Sequence, residues 1–274
     1  MILRESSLPA GWYPREKDKV EDFLKAYFQS SASAISVMAP HAGWYFSGSL
    51  AARAISSLDS RAQTVVVIGG HLPAGMPILA AAEDGVRTPL GTMIIDKELR
   101  AEFAGQVSTE SDRYNDNTVE VLLPMVHYFF PNAQLLWLRF PSEISSFEAG
   151  KTLFKTADSL NRKAVLIASA DLTHYGANYG FAPKGSGKQA LDWVKNVNDA
   201  GFIKAVLSGD PDQVLKRAEN DRSTCSAGSV LGALAFALSG STMQARLLEY
   251  GTSADAEGNT APQSFVGYAA MSMG

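Results

Sequence analysis

The chain has 274 residues, 46% of them hydrophobic, and a net charge of −4 at neutral pH. This balance argues against a general nucleic-acid-binding protein, which needs a basic surface, and the length suits the single domain that we expect over residues 1–274. The single cysteine, Cys225, excludes an intramolecular disulfide and favours a reducing compartment, the cytoplasm. Because no uncharged apolar stretch reaches about 18 residues and no apolar signal segment opens the chain, we expect neither a transmembrane helix nor a signal peptide.

Short apolar runs, rich in β-branched residues and bounded by glycine or proline, recur along the chain. Near-continuous apolarity without alternation is typical of strands that are covered on both faces. Segments 78–82 and 92–96 flank the turn-like sequence RTPLG, and we expect them to form a hairpin or an antiparallel edge. The other predicted strands, in chain order, are 34–39, 64–70, 134–140, 164–170, 246–251 and 265–273.

Amphipathic helical stretches lie between most of these strands. The alternation predicts an α/β fold, with a mostly parallel central sheet layered by helices. Polar segments 176–188 and 250–264 predict long loops, and the GSGK at the end of the first lacks the spacing of a phosphate-binding loop. The predicted helices are 16–29, 47–58, 118–130, 145–159, 187–208 and 225–239.

Three of the four histidines come just after predicted strands. His41 follows strand 34–39, His71 follows strand 64–70, and His174 lies beyond strand 164–170. Ligands of open α/β sheets bind outside the carboxyl ends of the strands, so we expect the three imidazoles to meet at one rim. A single loop histidine is more often a hydrogen-bonded turn residue, and the shared position of three is what indicates a site. His127 lies in an apolar helical pattern and is interpreted as structural.

The cysteine is expected to join them. The sequence predicts Cys225 in the first turn of helix 225–239, with Ser223 or Thr224 as the N-cap. A helix N-terminus lowers the pKa of a thiol, and thiolate with neutral imidazole suits zinc, iron or copper. A buried, unreactive cysteine is the alternative interpretation.

Carboxylates stand close to these candidates in the sequence. Asp171 comes three residues before His174, a spacing at which it could orient the imidazole. Glu120 opens helix 118–130, where a carboxylate serves either catalysis or the helix dipole. Asp116 and Asn117 just before it are candidate cap or turn residues.

The order and spacing of these motifs resemble the Memo family, whose bacterial and archaeal members are often called AmmeMemoRadiSam system protein B. The resemblance extends nearly from end to end of the chain, and it rests on the succession of motifs rather than on any one of them. They are LPAGWYP (8–14), APHAGWYFSGSLAA (39–52), VVVIGGHL (65–72), TPLGTMIIDKEL (88–99), ASADLTHYG (168–176), STCSAGSV (223–230), LLEYGTSAD (247–255) and FVGYAA (265–270).

The resemblance implies a fold similar to class III extradiol dioxygenases, which use non-haem iron(II). Position by position it implies that His41, His71 and Cys225 bind the metal. Iron(II) is the first expectation because the related dioxygenases use it; copper or zinc is the alternative, because cysteine in place of the usual carboxylate favours softer metals. His174 matches the acid/base histidine of the related dioxygenases, and Asp171 is its neighbour in the motif.

The expected substrate pocket includes Asn117, Glu120 and Tyr45. The family usually has Glu-His-Ser where this chain has Asp116-Asn117-Thr118, and its GPxHH is shortened here to GGHL. We therefore expect Asn117 to bind by hydrogen bonds alone, because an amide side chain neither gains nor loses a proton near neutral pH.

The resemblance implies metal-dependent redox chemistry on an unknown small molecule or peptide. The alternative is a non-enzymatic protein that binds a peptide or a partner in the same pocket. Radical SAM and AMMECR1-like proteins are the candidate partners.

Overall fold

The structure, a computed structural model, describes residues 1–27, 29, 32–241 and 244–274. Short 3₁₀ turns lie at Lys25–Tyr27 and Ala177–Tyr179, and a π-helical stretch lies at Val194–Asn198. The strands are β1 (Leu3–Arg4), β2 (Ser36–Ala39), β3 (Thr64–Leu72), β4 (Ile78–Ala80), β5 (Gly85–Thr88), β6 (Gly91–Ile94), β7 (Thr109–Ser111), β8 (Gln134–Pro141), β9 (Ala164–Ser169), β10 (His174–Gly176), β11 (Arg246–Thr252) and β12 (Ser264–Met273). The α-helices are α1 (Lys17–Leu24), α2 (Trp44–Ser56), α3 (Lys97–Ala104), α4 (Asn117–Glu120), α5 (Leu123–Phe129), α6 (Ser145–Ser159), α7 (Lys188–Trp193), α8 (Asp199–Ser208), α9 (Pro211–Asp221), α10 (Ala227–Gly240) and α11 (Ser253–Ala256).

One large sheet organises the described part of the chain. Its strand order is β10-β12-β2-β9-β3-β8-β4-β7, and β11 pairs with β12. The central strands β2, β9, β3 and β8 are parallel, whereas β12 joins β2 and β4 joins β8 in antiparallel pairs. The α/β fold with a mostly parallel central sheet is therefore confirmed.

Helices cover both faces of this sheet, which explains the unbroken apolar strands. Val65 and Val67 of β3 pack into one core with α2 and α5, whereas Val66 and Ile68 pack into the opposite core with α6 and α10. Burial on both faces removes the polar alternation of a half-exposed strand. A Cβ at Gly150 of α6 would lie 2.3 Å from a backbone oxygen of α10, so this close helix contact requires glycine.

Of the two arrangements expected for segments 78–82 and 92–96, the hairpin is wrong, whereas each segment does enter an antiparallel pair at or next to a sheet edge. Segments 78–82 and 92–96 do not pair with each other; β4 pairs with β7 and β8, and β6 pairs with β5. The hairpin turn is Pro89-Leu90, because the register places Thr88 opposite Gly91. The short β1–β5–β6 sheet is separate from the large one.

The helix predictions need smaller corrections. Segment 118–130 is divided into α4 and α5, and Pro124 lies in the first turn of the second helix, where proline is well tolerated. Helices α3 and α9 have no counterpart in the sequence interpretation, and α11 lies inside the predicted loop 250–264. In the structure, the predicted helix 16–29 consists of α1 followed by a 3₁₀ turn. Phe28 lies outside the described residues. Among the helices of the described ranges, none has the length and apolar character needed to span a membrane.

Candidate metal centre

His41 is held on both sides by the end of β9. Its main-chain N–H donates to Asp171 Oδ1 over 2.8 Å, and its Nδ1 lies 2.9 Å from Ser169 Oγ. The Ser169 hydroxyl donates its own proton to the Thr118 carbonyl, so its oxygen accepts from Nδ1–H of the imidazole. Nε2 of His41 is consequently the nitrogen that faces Cys225 Sγ, 3.3 Å away.

His71 occupies a bulge near the end of β3. The register with β8 shifts between Gly69 and Leu72, and His71 has a φ of 58°, in the left-handed region. The sequence predicted that the strand ends before this residue; it continues through Leu72 because pairing with β8 resumes there. His71 Nδ1 lies 3.0 Å from Asp116 Oδ2, which leaves Nε2 free for a metal.

Two glycines before His71 allow other segments to approach it. A Cβ on Gly69 would lie 2.3 Å from Thr118 Oγ1, and one on Gly70 would lie 2.0 Å from Ser226 Oγ. Any side chain at either position would push one neighbour away. The GG pair therefore lets the start of α4 and the turn before α10 converge on His71.

Cys225 lies in the turn that precedes α10. The prediction that it belongs to the first helical turn is wrong, because the helix begins two residues later, at Ala227. Neither predicted cap residue caps it: the Thr224 hydroxyl donates to the Asp171 carbonyl over 2.7 Å, and the Ser223 hydroxyl donates to the end of α9. The turn is thus tied to the loop that carries Asp171.

The three expected ligands converge. One donor atom from each of His41, His71 and Cys225 lies within 4.8 Å of the other two, and the imidazole rings are perpendicular, with centroids 5.0 Å apart. Both imidazoles have Nδ1 engaged by an acceptor and so present Nε2 to the centre, which is the arrangement that metal-binding histidines require. These residues could hold one metal ion.

The charges of the site favour a thiolate. Burial penalises the thiolate, but the charge of His41, its hydrogen bond to the sulfur and the nearby imidazoles of His174 and His71 outweigh burial and hold the pKa of Cys225 well below its usual range. Burial likewise opposes the charged form of His71, whereas Asp116 and Cys225 raise its pKa to about 10. Metal binding would therefore release protons from the imidazoles rather than from the sulfur.

His174 lies beside the three ligands, in the short strand β10 rather than in the predicted loop. Its Nε2 is buried 3.7 Å from Asp171 Oδ2 and has no hydrogen-bond partner among the described residues. Burial lowers the pKa of His174, but the neighbouring carboxylate and Cys225 raise it to about 10. Asp171 Oδ2 is also 3.7 Å from His41 Nε2, so one carboxylate lies between two imidazoles.

A cavity of about 680 Å³ opens over the histidines. The N-terminal segment, the start of α2 and the first half of β12 form its walls. Aromatic side chains, including Trp12, Phe46 and Tyr268, line it around the polar groups. The polar groups at its floor are His41, His71, Asn117, Asp171 and His174.

The chain is similar to other proteins over nearly its whole length. A family model described as Memo-like protein matches residues 4–272. The chain belongs to the Memo family. MEMO1 family proteins of Pyrococcus abyssi and Methanosarcina mazei are 29% and 27% identical to it, each over 99% of both chains. The crystal structure of uncharacterized protein JW3007 from Escherichia coli K12 superposes with a TM-score of 0.49 and 12% identity, over 87% of this chain and 99% of that one.

Asn117 lies in the cavity wall of this Memo-family chain. Its amide donates to the His41 carbonyl over 3.0 Å. The helix cap is Asp116, whose carboxylate accepts from the main-chain N–H of Thr118 over 2.9 Å. Asp116 is thus the cap residue, and Asn117 is the residue that faces the cavity. Ligand binding by Asn117 stays a prediction.

Glu120 lies outside the cavity lining, although we expected it to bind substrate. It is buried, and its carboxylate accepts hydrogen bonds from Ser6, Ser7, Leu8 and Tyr13. Those residues precede and follow the part of the N-terminal segment that lines the cavity. Glu120 thus anchors one wall of the pocket from behind.

Tyr45 is also absent from the cavity lining. Its side chain is 70% exposed on α2, beside a neighbouring groove, whereas the next residue, Phe46, does line the cavity. Successive residues of a helix point about 100° apart, so Tyr45 reaches solvent, although its ring packs edge-on against that of Phe46, with centroids 4.9 Å apart.

Two residues that support the centre were not identified from the sequence. Ser169 ends an apolar strand, and its hydroxyl sets the tautomer of His41. Arg139, a cation in an otherwise apolar strand, donates to the Gly70 carbonyl over 3.0 Å and lies 3.3 Å from Asp116. The signal for Arg139 was the burial cost of a charge inside a predicted strand, which requires a buried partner.

Proposed function

We propose that this protein binds one metal ion through His41, His71 and Cys225, and uses it for redox chemistry on a small molecule or a peptide. Iron(II) is the first candidate and copper the second, with zinc as the alternative without redox chemistry. The observation that carries the proposal is the approach of the three donor atoms to within 4.8 Å of one another, beside a cavity that could admit a ligand. Mixed nitrogen and sulfur donors suit these metals.

The residues around the centre suggest how the chain would take part. A bound ion would supply Lewis acidity and electron transfer. His174 borders the cavity with an unpartnered Nε2, so it is placed to take a proton from a ligand or to return it. Asp171 lies close enough to stabilise the imidazolium that results. Asn117 offers a hydrogen bond to the ligand without exchanging a proton.

The second candidate is a binding protein that uses the same cavity without turnover. Aromatic walls with a few convergent polar groups are typical of ligand pockets in general, and Trp12, Phe46 and Tyr268 provide such walls here. A peptide is the occupant that we propose for this case. Radical SAM and AMMECR1-like proteins, as partners in the cytoplasm, are proposed on the family resemblance alone.

Metal analysis tests the first proposal. We expect protein purified without oxygen to carry about one metal ion per chain, and His41→Ala or Cys225→Ser to lose most of it, because each removes a ligand. His127→Gln is the matched control, since this histidine contacts Thr88 and does not line the cavity. Equal metal content in the wild type and the three variants would contradict the proposed site.

Proton transfer by His174 is tested separately. His174→Ala should keep the metal, because His174 is not one of the three ligands, and should abolish any metal-dependent oxygen uptake. Loss of the metal in this variant would make His174 a ligand and contradict the proposed set. A loaded wild-type chain that takes up no oxygen with any candidate ligand favours the binding protein.

A further inference from the structure

A second, smaller cavity reaches the same centre from another direction. Its volume is about 290 Å³. Cys225 lines this small cavity and not the large one, whereas His41 and His71 line the large cavity and not the small one. His174 borders both. The residues that line the small cavity are Leu172, His174, Ala218, Arg222, Thr224 and Cys225.

The two cavities differ in charge. Among the described residues of its wall, the small cavity has one guanidinium, that of Arg222, and no carboxylate. The large cavity has Asp171 and Glu257 and no lysine or arginine among its described lining residues. Arg222 therefore attracts anions to the small opening, whereas the large cavity has no such permanent cation among its described lining residues.

Arg222 is a fixed cation. Its guanidinium donates to the carbonyls of Gly180 and Tyr179 over 3.1 and 3.3 Å, and it lies over the Phe181 ring at 5.0 Å. Tyr179 in turn packs on His174, with ring centroids 4.9 Å apart, and lines the large cavity. The contacts of Arg222 thus hold in place the partition between the two cavities.

We propose that the small cavity is a separate entrance through which small anions reach the sulfur face of the centre. The large cavity would then hold the organic ligand at the same time, because the two routes end on different donors of one site. Any role of these anions at a metal rests on the proposed function. The access of small anions to Cys225 is independent of the proposed function, and it can be tested without metal.

Alkylation of the single cysteine measures this access. In the reaction the thiolate forms a carbon–sulfur bond with iodoacetamide or iodoacetate, and iodide leaves with the electron pair of the broken carbon–iodine bond. The full-length chain is treated with a chelator, and its intact mass is followed over time. Iodoacetamide is neutral and iodoacetate is an anion of similar size, so the pair separates steric access from charge.

Two bulky substitutions distinguish the routes. Ala218→Phe should narrow the small cavity and slow both reagents by about tenfold, because alkylation requires an accessible thiolate. Asn178→Trp, at an exposed position that lines only the large cavity, should leave both rates within about twofold. Equal slowing by both variants, or slowing by Asn178→Trp alone, would overturn the separate entrance. Ala218→Leu gives the same comparison if the phenylalanine variant does not fold.

Arg222 is tested by the ratio of the two rates. Arg222→Gln should lower the rate with iodoacetate relative to iodoacetamide by about threefold or more, and Arg222→Lys should restore the ratio, because both keep a polar side chain but only lysine keeps the charge. The ratio cancels any change in the thiolate fraction. An unchanged ratio in Arg222→Gln would overturn the preference for anions. Metal content, measured on the same proteins, reports separately on the proposed function.

Discussion

At the scale of single residues, the candidate centre depends on groups that are not among its three candidate ligands. Ser169 and Asp116 each accept from the Nδ1 side of a histidine and so direct the other nitrogen inward. The three candidate ligands could be predicted from the sequence, since they follow strands or precede a helix. Their supports could not, because Asp116 is equally a helix cap by sequence and a serine that ends a strand carries no signal of its own.

The support of His41 is testable. Ser169→Ala removes the acceptor of Nδ1–H, so the imidazole is free to rotate or change tautomer. We expect metal affinity to fall by about 10–100-fold, the usual effect of losing such a partner. Competition with a chromophoric chelator measures it. Ser239→Ala, in the exposed part of α10, is the control, and an unchanged affinity in Ser169→Ala would show that the serine does not direct the ligand.

At the scale of elements, the N-terminal segment and α4 act together. Glu120 ends α4 and carries the hydrogen bonds that hold residues 6–13, while Asn117 begins α4 and faces the cavity. The sequence predicted that both residues face the substrate. They lie three positions apart in a helix of one turn, and the tertiary fold of the N-terminal segment, which has no sequence signal, covers Glu120 instead.

Glu120→Gln should loosen this wall. Burial raises the pKa of Glu120, but the donors of Ser7, Leu8 and Ser6 outweigh burial and lower it, so the carboxylate stabilises the fold above its unfolded pKa and that stability is lost as pH falls. The variant should lose about 1–3 kcal/mol near neutral pH, because an amide cannot accept all of these bonds. Hydrogen exchange of residues 6–13 should quicken. Metal affinity should stay unchanged, and its loss together with unaltered exchange would contradict an anchoring role.

A second pair of elements meets at a buried acid. Asp199 of α8 accepts from Tyr250 Oη over 2.8 Å and from the main-chain N–H of Thr173 over 3.1 Å. A Cβ on Gly267 of β12 would lie 1.9 Å from its carboxylate, which explains the glycine in the FVGYAA motif. The sequence could not reveal this contact, since the two residues are far apart in the chain.

The buried acid predicts a pH dependence of stability. Burial raises the pKa of Asp199 from 3.8 to about 6, although Thr173 and Tyr250 oppose the rise. Because its pKa is raised, protonated Asp199 stabilises the folded state. This contribution to the free energy of unfolding is complete below pH 3.8 and is lost as the pH rises through about 6. The loss amounts to about 3 kcal/mol. In urea unfolding from pH 3.5 to 7, the free energy of unfolding should decline in the wild type but not in Asp199→Asn. Parallel pH profiles of the two proteins would contradict this prediction.

At the scale of the whole molecule, the sheet and its layers were predictable and the edges were not. Central strands such as β3 carry their own signal, because both faces are buried. Short edge strands such as β4 and β7 are paired by tertiary contacts, so their partners could not be read from periodicity. The topology then brings the ends of β2, β3 and β9 to one rim, which is why distant histidines meet.

X-ray absorption at the edge of the bound metal tests the central claim most directly. The chain loaded with iron(II) or copper, without oxygen, should show one sulfur at about 2.3 Å and imidazole nitrogens at about 2.0–2.1 Å, taking zinc distances as a guide. The sulfur contribution should disappear in Cys225→Ser and persist in His127→Gln. A metal surrounded by oxygen and nitrogen alone in the wild-type chain would contradict a centre built from His41, His71 and Cys225.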